Sequence, residues 1–197
     1  TDFYFMGLYK YLSKAIRSHS DEMLQVQRER MIEWRRETAV LKIEYPTNLI
    51  SARRLGYKAK TGFILIRVRV PRGGKARPSI RHGRRSAHSG QRLVFAKGYQ
   101  RVAEERANKQ YPNLEVLNSY KVGMDGIHYW FEVIMLDPYN PNVANDSQVG
   151  WISSGKHKGR VYRGLTSAGK RNRGLGNKGQ GAEKLRPSLR AHDKTGK

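Results

Sequence analysis

The basic residues of this chain are concentrated in two blocks, with an acidic and apolar segment between them. The net charge is +15 over residues 52–110 and +11 over residues 153–197, but only +1 over residues 1–51 and −4 over residues 111–152. A compact fold that carries a total charge of +23 repels itself unless a polyanion neutralises it. A surface that only keeps a small domain soluble needs a net charge of about 2–8. The distribution therefore predicts a modest core with basic appendages that bind a polyanion.

Apolar residues at helical spacing predict two helices. Ser20 followed by two acidic residues is typical of a helix N-terminus, and the apolar residues after it fall on about half of the helical circumference. These residues are Met23, Leu24, Val26, Met31 and Trp34. The second helix is predicted from about residue 91 to residue 108. Its apolar stripe comprises Phe95, Ala96, Tyr99, Val102, Ala103 and Ala107.

Apolar residues at every second position predict three strands. The first strand follows Gly62, has an apolar face that runs from Ile64 to Val70, and ends at Pro71. Two further alternating runs lie on either side of Asp125-Gly126, a dipeptide typical of hairpin turns. The first run is Leu114, Val116, Tyr120 and Val122, and the second is Tyr129, Phe131, Val133 and Met135. We expect a β-hairpin that packs on the two helices.

These elements predict an α+β fold with a small, mostly antiparallel sheet packed with helices. A long basic loop at residues 72–92 and an extended basic C-terminal tail complete the prediction. Residues 1–152 are expected to form the core. Residues 153–197 contain nine glycines and almost no large apolar side chains. Because such a segment cannot offset its own ordering entropy, we expect it to be an extension that orders on binding.

The loop at residues 72–92 is the first candidate for nucleic-acid contact. Arginine presents a planar fork of donors that matches a phosphate, and glycine lets the backbone approach it closely. A solvated flexible loop is the alternative. The basic residues of the loop are Arg72, Lys75, Arg77, Arg81, Arg84, Arg85 and Arg92.

Two further regions contribute candidate contacts. Residues 52–60 interleave four cations with Tyr57, whose ring either stacks on an unpaired base or packs in the core. The candidates in and after this stretch are Arg53, Arg54, Lys58 and Lys60, with Arg67 and Arg69 on the second face of the predicted strand. Those in the tail are Lys156, Lys158, Arg160, Arg163, Lys170, Arg171, Arg173, Lys178, Arg186 and Arg190.

Several classes of function lack the residues that they need. Without cysteine, disulfides, cysteine-ligated zinc and thiol catalysis are excluded. Residues 174–179 match GxGxxG, but no predicted strand precedes them, so a dinucleotide site is not expected. Glu104 and Glu105 are adjacent on a predicted helix and cannot face each other, and nucleases need clustered carboxylates to hold metal ions. We expect no enzymatic activity, cofactor, metal site or small-molecule substrate.

Three alternatives to an RNA scaffold each need a feature that the sequence does not indicate. A chromatin-type DNA- or RNA-binding protein needs a reader helix or a dimer seam. A nucleic-acid enzyme needs the missing carboxylate cluster. A polycation of the membrane surface places its charge on an amphipathic helix, whereas here the charge lies in loops rich in glycine and proline. No apolar run approaches the ~18 residues of a membrane span.

Motifs along nearly the whole chain resemble one family, ribosomal protein fifteen of the large subunit in its eukaryotic and archaeal form. The stretches that carry the resemblance are MGLYKY at 6–11, ARRLGYKAKTG at 52–62, VRVPRGGKARP at 68–78, VAEERA at 102–107, LNSYKVGMDG at 117–126, FEVIMLDP at 131–138, RGLTSAGKRNRGLG at 163–176 and GAEKLRPSLRA at 181–191. The style is nearer to the archaeal members. Because that family begins at the position of Met6, residues 1–5 are expected to be an extension.

The resemblance implies a non-catalytic protein embedded among ribosomal RNA helices in the cytoplasm, beside neighbouring large-subunit proteins. It also implies an α+β core with extended basic segments. On this basis the rRNA contacts are expected at the loop of residues 72–85 and at Arg53, Arg54, Lys58, Lys60, Arg163, Lys170, Arg171 and Arg173.

Overall fold

Helices surround a central sheet in this protein. The computed structural model describes residues 3–17, 20–84, 86, 89–90, 92–93 and 97–177, without the side chains of residues 3–6, 17, 76 and 92. The helices are α1 (Phe3–Arg17), α2 (Asp21–Arg36), α3 (Leu49–Arg54), α4 (Tyr99–Gln110), α5 (Pro141–Ala144) and α6 (Ser167–Asn172), with 3₁₀ turns at Gly150–Ser153 and Gly155–His157. Ser20 caps α2, as predicted, because its side chain accepts a hydrogen bond from the backbone N–H of Met23.

The central sheet has four antiparallel strands. The strands are β1 (Val40–Ile43), β2 (Phe63–Pro71), β5 (Glu115–Met124) and β6 (His128–Leu136), in the order β1-β2-β6-β5. A separate pair, β3 (Lys75–Ala76) and β4 (Arg92–Leu93), lies within the basic loop. The α+β fold with a small antiparallel sheet is therefore confirmed, and so is the hairpin of β5 and β6.

The first face of the sheet packs on α4. Val68, Phe131 and Val133 from the strands meet Ala103 and Ala107 of α4 in one buried cluster. Small alanines allow the helix to lie close to the sheet, so the β-branched and aromatic side chains fill the space between them. The prediction that Phe131 faces the core is confirmed.

The second face of the sheet packs on α3 and α2. Leu65 and Ile134 form a buried cluster with Ala52 of α3. Beside this cluster the ring of Trp34, from α2, lies 5.9 Å from that of Trp130. Both faces of β2 and β6 are therefore covered, which explains why β6 is buried almost along its whole length.

The alternation expected for β5 breaks at two irregularities. The register shifts between Val116 and Asn118 and again between Lys121 and Gly123. As a result Val116 packs against α4, whereas Tyr120 packs on the opposite face of the sheet. A bulge adds one residue to one strand and reverses the face of those that follow, so the expectation of one continuous apolar face was wrong.

The helix expected from residue 91 begins later. Gly98 has an extended backbone and precedes the first turn of α4 at Tyr99, while residues 92–93 pair with β3 instead. The strand pairing uses backbone groups that a helix would need. Phe95 and Ala96, which were placed on the helical stripe, lie outside the described residues.

Residues 153–177 are not extended. They form the turn at Gly155–His157 and the helix α6, and they bury Val161, Thr166 and Ala168 against the core. These three side chains are small, so the low apolar content of the segment concealed the packing that orders it. The prediction of an extended segment is therefore wrong for residues 153–177, whereas ordering on binding stays a prediction. Residues 178–197 lie outside the described part of the chain.

Candidate nucleic-acid interface

The basic loop is fixed to the core at its base. The backbone N–H of Arg72 donates to the carbonyl of Ile127 at 2.7 Å, and its guanidinium donates to the carbonyl of Asp125 at 2.6 Å. The same guanidinium lies 5.0 Å from the ring centre of Tyr129. The backbone N–H of Gly73 donates to the hydroxyl of Tyr99 at 2.9 Å. With the pairing of β3 and β4, these contacts set the direction in which the loop leaves the sheet.

The segment before α6 is held by a buried carboxylate. Glu104, on α4, is fully buried and accepts hydrogen bonds from the hydroxyls of Ser119 and Thr166. Thr166 also caps α6 by accepting a bond from the N–H of Gly169. The hydroxyl of Thr166 therefore both joins this segment to α4 and caps the N-terminus of α6.

Burial raises the pKa of two carboxyls in the core. Desolvation raises the pKa of Glu104, although the hydrogen bonds from Ser119 and Thr166 act in the opposite direction. Desolvation likewise raises the pKa of Glu132, which accepts hydrogen bonds from Thr47 and from the hydroxyl of Tyr120. Both carboxyls are therefore buried and hydrogen-bonded inside the core, and neither lies on the surface.

Two basic segments, the loop 72–92 and the segment 155–173, contact the amino-terminal end of α4. On one side, Tyr99 holds the loop at Gly73. On the other, Arg171 of α6 donates to the side chain of Gln100 at 3.2 Å, and Arg101 donates to the carbonyl of Tyr162 at 3.2 Å. Segments about 90 residues apart in the sequence thus both contact the first turn of α4.

The stretch after α3 lies on the other side of the sheet. Arg53, Arg54 and Lys60 are exposed. Lys58 instead forms an ion pair with Asp146 at 2.6 Å, and the hydrogen bond from Lys58 lowers the pKa of that carboxyl. The ring of Tyr57 packs edge-on against Phe63, with ring centres 6.3 Å apart. Of the two roles considered for Tyr57, the structure therefore favours packing in the core over stacking on a base.

Two predicted contacts on β2 hold α2 instead. The guanidinium of Arg67 pairs with Glu37 at 2.7 Å and lies 4.6 Å from the ring centre of Trp34. That of Arg69 donates to the carbonyl of Arg35 at 2.6 Å, at the end of α2. Both side chains are only partly exposed, so their donors serve the fold.

Arg160 was predicted to contact RNA, but it is buried. The residue is 8% exposed, and its guanidinium donates to the carbonyls of Val116 at 2.5 Å, Leu117 at 3.0 Å and Leu165 at 3.2 Å. Burial lowers the pKa of Arg160, while the nearby carboxylates Glu104 and Glu115 raise it. The residue therefore joins its segment to β5 and has no donor on the surface to offer a phosphate.

The remaining predicted cations divide by their exposure. Arg163 is exposed, but it donates to the carbonyls of Lys156 and Lys158 at 2.6 and 2.9 Å. Arg77 and Arg173 are partly exposed. The exposed candidates are Arg53, Arg54, Lys60, Arg72, Lys75, Arg81, Arg84, Lys156, Lys158, Arg163, Lys170 and Arg171. Arg85, Lys178, Arg186, Arg190 and the side chain of Arg92 lie outside the described residues.

Sequence reasoning missed the residues that hold these segments in place. In the sequence Glu104 is only one of two adjacent acids, and nothing in its local pattern indicates burial. Thr166 followed by Ser167, Ala168 and Gly169 is a helix-cap signal that could have been recognised. Within the described part of the chain, no group of three or more His, Asp or Glu residues could hold a metal ion. Over the same ranges, no helix is long and apolar enough to cross a membrane.

The comparison with protein families agrees with the resemblance in the motifs. The model of the family described as Ribosomal L15 matches residues 7–192. The match includes the sheet, α2 to α6, and both basic segments. This chain therefore belongs to the ribosomal L15 family and is a structural protein of the large ribosomal subunit.

Proposed function

We propose that this chain binds and scaffolds ribosomal RNA of the large subunit through exposed arginines and lysines of its basic segments, without catalysing a reaction. The observation that carries the proposal is the meeting of the loop 72–92 and the segment 155–173 at the amino-terminal end of α4. A rigid core then presents cations from both segments to one polyanion, which supplies the counter-charge that a net charge of +23 requires.

The basic residues fall into two groups, those bonded within the core and those with exposed side chains. Arg67, Arg69 and Arg160 hold the core together, whereas Arg81, Arg84 and Lys170 have exposed side chains. Phosphate contacts position a protein on RNA without reading its sequence. We expect the exposed cations to act in this way, with neighbouring large-subunit proteins and the cytoplasmic ribosome as the setting.

Sedimentation of tagged chain through a sucrose gradient tests the proposal. We expect co-migration with large subunits at low salt and at high salt, because many phosphate contacts act together once the subunit is assembled. Replacing Arg81, Arg84 and Lys170 together by glutamine should reduce the fraction that co-migrates. A variant with the exposed cations Arg28 and Lys42 replaced is the control for lost charge elsewhere. Migration of the wild-type chain as a free monomer under both conditions would contradict the proposal.

A further inference from the structure

The hairpin tip between β5 and β6 exposes two large apolar side chains. Ile127 is 68% exposed and Met124 is 50% exposed. The backbone N–H of Asp125 donates to the carbonyl of His128 at 3.0 Å, so Gly126 and Ile127 form the turn itself. Turn positions favour Gly, Asn, Asp, Ser and Pro, and an exposed isoleucine at this position contributes nothing to the core.

The tip is rigid because its groups are held by hydrogen bonds. The Asp125 carboxylate accepts bonds from the backbone N–H groups of Ile127, at 2.7 Å, and His128, at 2.5 Å. The backbone and guanidinium of Arg72 bind the carbonyls of Ile127 and Asp125. A loop fixed in this way presents its side chains with little loss of entropy on binding.

Three cations contact residues of the hairpin tip. Arg35 lies 3.4 Å from the Asp125 carboxylate and keeps 49% of its side chain exposed. Lys121 contacts the sulfur of Met124 at 3.5 Å, and Arg72 is exposed at the base of the loop. Since Asp125 neutralises one of these three charges, the tip lies in an excess of positive charge, although residues 111–152 themselves carry a net charge of −4.

From this arrangement we propose that the hairpin tip binds an unpaired base of ribosomal RNA, with Met124 and Ile127 against the base and with Arg35, Arg72 and Lys121 on the flanking phosphates. Bases that have left the helical stack expose an apolar face, and proteins recognise RNA mainly at such loops and bulges. Apolar side chains are also used as wedges at base steps in DNA. The cations favour RNA over an apolar pocket of another basic protein. The inference rests on the proposed function and adds a contact in the segment that the charge pattern had assigned to the core.

The test uses the full chain and protein-free large-subunit rRNA as the probe. Replacing Met124 and Ile127 together by serine should weaken binding roughly tenfold, because two exposed apolar side chains lose their contact with the base. The slope of log affinity against log salt should stay the same, since no phosphate contact is removed. Arg72→Gln should lower that slope by about one. Leu8→Ser, at a position 57% exposed on α1, is the matched control and should bind like the wild type.

Chemical probing of the rRNA bases supplies a second readout. In the complex with the double variant, an unpaired base protected by the wild-type chain should become reactive. Wild-type affinity and an unchanged footprint for the double variant would overturn the inference. So would normal rRNA binding combined with loss of a neighbouring protein from the subunit, which would assign the tip to a protein contact. Failure of the wild-type chain to bind rRNA would instead refute the proposed function, and the inference with it.

Discussion

Arg160 is a basic residue that we expect to stabilise the fold rather than to bind RNA. Its guanidinium donates to three backbone carbonyls and lies 4.9 Å from the ring centre of Trp151. Arg160→Met keeps much of the side-chain volume but leaves the three carbonyls without this donor, and two nearby carboxylates lose their counter-charge. Removing one member of a buried charge network costs about 3–5 kcal/mol. For a chain of this length, each kcal/mol lowers the melting temperature by about 2–4 °C, so we expect a decrease of roughly 6–20 °C.

Thermal unfolding of the RNA-free chain, followed by circular dichroism, measures this decrease. Arg160→Lys keeps the charge but lacks the planar fork, so its melting temperature should lie between those of Arg160→Met and the wild type. Lys170→Met is the control, because this exposed side chain should change the free energy of unfolding by no more than about 0.5 kcal/mol. In rRNA binding the order should be reversed. Lys170→Met should reduce the salt dependence of the affinity, and Arg160→Met should not. A normal melting temperature for Arg160→Met together with weakened RNA binding would refute the structural role of Arg160.

Three further predictions follow from the core and the loop. Phe131→Ala should destabilise the protein by about 3–5 kcal/mol in denaturant unfolding, because this side chain is buried against α4, and an unchanged midpoint would place it on the wrong face. Because burial raises the pKa of Glu104, the folded state binds its proton more tightly than the unfolded state. The stability from Glu104 is then fully present below its ordinary pKa of 4.5 and is lost as the pH rises through the folded value. Glu104→Gln should flatten this decline in a pH series of melting curves, and an unaltered pH profile would argue against a raised pKa. Trypsin should cleave the RNA-free chain after the exposed Arg81 and Arg84 before it cleaves after the buried Arg160. Mass spectrometry of the fragments measures this order, and earlier cleavage after Arg160 would contradict the prediction.

The parts of the fold that depend on local patterns could be predicted from the sequence. The strand after Gly62 and the hairpin around Asp125 follow from alternating apolar residues and a turn dipeptide, and the cap at Ser20 follows from the residue type. The shifts in β5 could not be predicted, since a bulge depends on the register with β6 as well as on the residues of one strand. Likewise, the start of α4 at Tyr99 depends on the pairing of β4 with β3.

The candidate interface could be predicted only as a set of basic segments. A buried arginine and an exposed arginine look the same in a sequence, so nothing near Arg160 indicated that it binds the carbonyls of β5. The loop and the α6 segment are both held at the first turn of α4, by hydrogen bonds to Tyr99 and Gln100. These bonds join distant parts of the chain, so no local pattern predicts them. Charge patterning therefore predicts a polyanion as the partner, whereas the packing determines which cations are exposed.

The salt dependence of affinity tests most directly whether these segments bind rRNA through many phosphates. The purified full-length chain would be titrated with protein-free large-subunit rRNA over a range of salt concentrations. If about ten phosphates are neutralised, log affinity should fall with log salt at a slope of roughly −7 to −9. A slope shallower than about −2 would contradict multi-phosphate binding, and with it the role proposed for the basic loop and the α6 segment.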